Sequence, residues 1–200
     1  MNNNQIQHEL SIIKKMIEKT RQETAESGYL FIFIGIFSAI ATFVIGMLEI
    51  YKLNQFTLPV MIIMLIVNGI IGYIVASKDA KVEKVKTYPK TIFFNLWIVC
   101  GITAIMITFL FPFLKVYPFR AVPVLIPLIM GIAVFTTGTI YELRFIQWYS
   151  ITWWVGACIL VLTKSPFRFI IMIAIIVLGW VIPGFILNKQ YRNRSKENEL

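Results

Sequence analysis

The chain has 200 residues, of which 58% are hydrophobic and only 14% are charged, with a mean hydropathy of +0.76 and a formal net charge of +9. That charged share is roughly half of what a soluble domain carries, which excludes a soluble globular fold and points to an integral membrane protein. One histidine, His8, and two cysteines supply too few ligands for a metal centre and imply no disulfide framework.

Residues 1–27 form the first predicted element. In QIQHELSIIKKMIEKTRQETAESG, Ile6, Leu10, Ile13, Ile17 and Thr20 fall within one arc of a helical wheel, widened by Ile12 and Met16. The stretch reads as an amphipathic helix running up to the membrane. Four basic residues are balanced by Glu9, Glu18, Glu23 and Glu26, so anionic lipid has little electrostatic reason to hold it. The face carrying Leu10, Ile13 and Ile17 is therefore a candidate protein-docking face, for the chain's own bundle or oligomer or for a separate cytoplasmic partner.

Cutting the chain at its charges leaves six apolar segments, 28–48, 56–76, 91–113, 121–139, 145–163 and 169–187. Each approaches the twenty or so residues with which a helix crosses about 30 Å of hydrocarbon, and none alternates as a strand would. The first is longer than a signal-peptide core and reads as a retained span. Within it Gly35, Ala39, Thr42 and Gly46 recur at spacings of four, three and four, a small-residue face that lets a neighbouring backbone approach. Thr57 and Pro59 read as the cap and first-turn proline of the second helix. Asn68, Gly69, Gly72 and Ala76 form a similar strip there, and Asn68 lies near the middle of the span, where an amide needs a partner.

In the third segment Cys100 and Thr103 are adjacent on one face, and the hydroxyls of Thr103 and Thr108 are expected to bond to another helix. Pro123 and Pro127 in the fourth, and Pro183 with Gly184 in the sixth, remove helical hydrogen bonds and free carbonyls. Between the fourth and fifth segments TIYELRFIQWYSITWW places Glu142 and Arg144 two positions apart. They read as a short turn with its charges in headgroup water, with Trp148 and Tyr149 just inside as interfacial aromatics and Trp153 and Trp154 deeper as packed or lipid-facing bulk. The segments IIMLIVNGIIGYIV and IIMIAIIVLGWVIPGFI resemble one another as an internal repeat would.

Lysines and arginines alternate in number along the chain. Fourteen of the nineteen fall in the amino-terminal tail, the second and fourth connections and the carboxyl tail, against Lys52, Lys115, Arg120, Lys164 and Arg168 on the other side. The positive-inside rule then places both termini in the cytoplasm. The net charge is a topology signal, so no nucleic-acid partner is expected. Catalysis has little to work with, because His8 lies in the tail, glycine-rich phosphate motifs are missing, and the carboxylates are confined to tails, loops and span ends.

The stretch ELSIIKKMIEKTRQETAESGYLFIFIGIFSAI resembles the start of a group of small bacterial multi-span membrane proteins, in which an IKxMIE-like helix leads through an SG into a glycine-containing first span. That resemblance covers about the first forty residues and the span pattern. It implies a bacterial cytoplasmic (inner) membrane and no particular activity. The expected fold is an all-α six-helix transmembrane bundle spanning 28–187, with the cytoplasmic amphipathic helix at 1–27 and a basic cytoplasmic tail at 188–200. The expected role is a non-enzymatic accessory, regulatory or sensing component without a cofactor, touching membrane lipid and a second copy or a protein partner through the amino-terminal helix. A small-solute transporter or channel-like protein is the alternative.

Overall fold

A computed structural model describes residues 28–82, 88–163 and 167–197. The amino-terminal stretch with Leu10, Ile13 and Ile17 lies outside the described residues. Among the described residues the chain is helical and carries no strand, and six helices are long and apolar enough to cross a membrane. We label these α1 (Gly28–Ile50), α2 (Thr57–Val82), α3 (Tyr88–Ile105, continued by Met106–Leu110 and Phe111–Phe113), α4 (Val122–Ile140), α5 (Arg144–Leu162) and α6 (Arg168–Ile176, continued by Val177–Val181 and Ile182–Glu197). The last helix runs unbroken into the stretch read from sequence as a basic tail.

Packing contacts fix the arrangement. Gly28 lies against Gly184 and Gly46 against Phe169, so α1 and α6 are antiparallel. Gly138 meets Gln147 and Gly131 meets Trp154, which pairs α4 with α5 in the same way, and Gly156 on Ile175 with Gly179 on Trp153 does so for α5 and α6. Phe93 approaches Tyr141, and Trp97 approaches Thr137, closing α3 onto α4. Trp97 also contacts Phe31 of α1 and Trp180 of α6, with ring centroids 6.4 and 6.3 Å apart. Five helices, α1, α6, α5, α4 and α3, thus surround one core. The start of α1, the end of α6 and the α4–α5 turn share one end of the bundle, called here the terminal end.

The sixth helix stands outside this ring. α2 packs on α1 and makes no comparable contact with another helix among the described residues. None of its apolar window is buried, whereas 44% is buried in α4 and in α6. Thr57 has helical dihedrals (φ −61°, ψ −46°) and follows a single 3₁₀ turn at Asn54–Phe56, so it opens the helix instead of capping it.

Three helix ends close by one device. Lys52, Lys115 and Glu142 take positive φ (58°, 60° and 52°). The next residue then donates its N–H to the carbonyl five positions back: Leu53 to Leu48 at 2.8 Å, Val116 to Phe111 at 3.0 Å and Leu143 to Gly138 at 2.8 Å. These are Schellman closures, usually made with glycine, because a side chain costs roughly 1–2 kcal/mol in the left-handed region. Glu142 and Arg144, both exposed, form the α4–α5 turn and its exit.

Candidate packing and docking surfaces

The strip on α1 faces α6. A side chain added at Gly35 would strike Val181 and Trp180, and one at Gly46 would strike the ring and Cβ of Phe169. Ala39 is half-buried beside them, and the Thr42 hydroxyl donates to the Ser38 carbonyl one turn back at 2.8 Å. Close approach of two backbones is what small residues supply where lipid removes the ordinary hydrophobic drive between helices. The pair Gly28 and Gly184 extends the contact to the terminal end, where each glycine touches the other's backbone.

On the α2 strip the two glycines meet none of the described residues. Gly69 and Gly72 have no heavy atom within 4 Å of where a Cβ would stand. The side-chain oxygen of Asn68 is shielded from solvent and has no hydrogen-bond partner. Two strips that look alike in sequence thus differ in the fold: the glycines of one pack on α6, and those of the other are open among the described residues.

Among the described residues the interhelical hydrogen bonds run from side chains other than Thr103. The Thr103 hydroxyl donates back to Val99 O of its own helix at 2.8 Å, and Thr108 sits half-buried in the π turn of α3. A hydroxyl with an i−4 carbonyl in reach spends its proton there. The links come instead from larger donors on facing helices. Trp97 Nε1 donates to Thr137 Oγ1 (3.3 Å), whose own proton goes to Ala133 O, Gln147 Nε2 donates to Thr139 Oγ1 (3.1 Å), and Trp154 Nε1 donates to Leu128 O (3.3 Å). Gly131 with Trp154, and Gly138 with Gln147, lie at nearly equal chain distances from Glu142. In a hairpin with so short a turn, that symmetry is the sequence signal for facing positions.

At the centre stand three indoles. Trp153, 1% exposed, meets Trp180 edge-on with centroids 5.2 Å apart, and Trp180 meets Trp97. Neither Trp153 Nε1 nor Trp180 Nε1 has a conventional acceptor, and the Ser38 hydroxyl is likewise buried without one. The edge-on geometry lets aromatic faces serve as weak acceptors for indole N–H groups. The interior is thereby filled with ring carbon. Between α5 and α6 a shallow groove of about 460 Å³ opens outward, lined mostly by apolar residues including Ile151, Val155, Ile159 and Ile171.

At the opposite end Arg168 ties two connections together, donating from Nε to Thr163 O at 2.7 Å and from Nη1 to Arg120 O at 3.1 Å. The Tyr117 hydroxyl donates to Ile107 O at 2.7 Å, and burial holds that phenol above its ordinary range, so it remains a donor at neutral pH. Among the described residues there is no group of three or more His, Cys, Asp or Glu that could hold a metal ion. No family model matches the chain, and neither a curated protein nor a solved structure does.

Proposed function

We propose that the protein is a non-enzymatic accessory subunit of a membrane, which offers α2 to another membrane-embedded protein or to a second copy. The observation that carries this reading is the contrast between α2 and the other helices: none of its apolar window is buried, and Gly69 and Gly72 stand open, shaped for a helix that none of the described residues supplies. Asn68 adds a reason, since an amide oxygen without a partner in hydrocarbon costs several kcal/mol, which a neighbouring donor would recover. The amphipathic face of Leu10, Ile13 and Ile17 supplies a second contact in the same reading. The bacterial cytoplasmic membrane follows from the resemblance of the first forty residues, and the cytoplasmic placement of both termini from the charge asymmetry.

A small-solute transporter is the second reading, favoured by one feature: α3 and α6 are each interrupted by a π turn near a proline, as discontinuous transporter helices are. The aromatic filling of the centre supports docking over passage. Crosslinking tests the first reading. With Cys100→Ser and Cys158→Ser as background, Gly72→Cys in native membranes should give a discrete intermolecular adduct, while Phe33→Cys, on the exposed face of α1, should not. Absence of an adduct at Gly72, or equal adducts from both, refutes the docking role of α2.

A further inference from the structure

Two helices of the bundle carry the same irregularity, and among the described residues a side chain pins one of them. In α3 the π turn Met106–Leu110 stands six residues ahead of Pro112, and in α6 the π turn Val177–Val181 stands six residues ahead of Pro183. In each, the residue before the proline donates its N–H five positions back, Phe111 to Met106 and Ile182 to Val177. The proline itself has no N–H for the next carbonyl in line, which is Ile107 O in α3 and Leu178 O in α6. Tyr117 fills that position in α3 with its hydroxyl. In α6 no described side chain donates to Leu178 O, and Leu178 is an exposed residue on the outside of the bundle.

We infer that the π turn of α6 is a hinge about which the terminal half of α6 bends together with the first turns of α1. Helices bend where the i→i−4 ladder is interrupted, at prolines and π turns. α1 meets the π turn at this level: Gly35 packs directly on Val181 and Trp180, its last residues. Clamps hold the two helices together on either side of that level. Gly46 with Phe169 joins them toward the opposite end, and Gly28 with Gly184 joins their backbones at the terminal end. The α1–α6 pair therefore bends as one layer against α5, whose Trp153 indole rests on Gly179 inside the π turn. The motion carries the start of α1 and the terminal half of α6 in one direction, and it is independent of whether α2 docks.

Distances between spin labels in the full chain, with Cys100→Ser and Cys158→Ser as background, read this motion directly. Pairs at Tyr29 with Arg144 and at Lys189 with Arg144 span the terminal end, and a pair at Tyr51 with Leu162 spans the opposite end; all of these positions are exposed. Both terminal pairs should give broader distance distributions than the control pair. Pro183→Ala, which restores an N–H for the ladder, should narrow both toward the control. The hinge is refuted if the terminal pairs are as narrow as the control, if Lys189 is broad while Tyr29 is narrow, or if a folded Pro183→Ala leaves the breadth unchanged. Should Pro183→Ala not fold, the wild-type comparison of the three pairs decides alone.

Discussion

Alanine placed at Gly46 and at Gly72 should move stability in opposite directions. Both glycines lie inside helices, so each gains about 1 kcal/mol in helix propensity from a methyl group. At Gly72 nothing stands within 4 Å of the new Cβ, and the gain is kept whole. At Gly46 the methyl collides with the Cβ and ring of Phe169, whose edge contact with Phe43 (centroids 6.5 Å apart) must be given up or shifted. Overpacking of that kind costs about 1–3 kcal/mol and the aromatic pair about 0.5–1.5 kcal/mol, which leaves Gly46→Ala net destabilising by about 2 kcal/mol. The two variants should therefore differ by about 3 kcal/mol, roughly a hundredfold in the unfolding equilibrium. Reversible unfolding in mixed micelles, followed by tryptophan fluorescence, measures the difference, since the buried Trp153 and Trp180 report on the core. The assay must be run under conditions where chains are separate, because Gly72→Ala would also block a partner on that face. A destabilising Gly72→Ala, or a neutral Gly46→Ala, would refute the assignment of the α1 strip as packed and the α2 strip as open.

Glycine introduced at Lys115 should stabilise the bundle by about 1 kcal/mol, since the positive φ there strains any side chain; the same unfolding assay checks it, and a loss of stability would mean that the charged side chain contributes more than its backbone strain. Arg168→Lys keeps the charge but gives up the fork that reaches Thr163 O and Arg120 O together. It should cost about 1–2 kcal/mol and raise protease cleavage near residues 114–121, and an unchanged cleavage pattern would discount the clamp. Reporters fused after Lys90 and at the carboxyl end should report cytoplasm, and one near Lys115 the far side; a cytoplasmic signal near Lys115 would overturn the six-span topology.

The sequence by itself determined the six helices. Hydropathy is a local property summed along a segment, so 91–113 begins three residues inside a helix that opens at Tyr88 and ends with it at Phe113, and 28–48 falls two residues short of Ile50. It also determined that Glu142 and Arg144 make a turn, because two charges between apolar runs have only water as a cheap destination. Only the tertiary structure decided which faces are inside. In a span every position is apolar, and the contrast that marks a buried face in a soluble helix is missing. Gly35 and Gly72 are alike as residues and as spacings, and what separates them is a partner 140 or so residues away in the chain, Trp180 and Val181 for one and none among the described residues for the other. The hydroxyls depend on tertiary structure in the same way: whether one bonds across helices or back to its own carbonyl depends on what faces it, and Thr137 faces an indole N–H while Thr103 bonds back to Val99. Packing complementarity belongs to pairs of helices, and one helix read alone does not contain it.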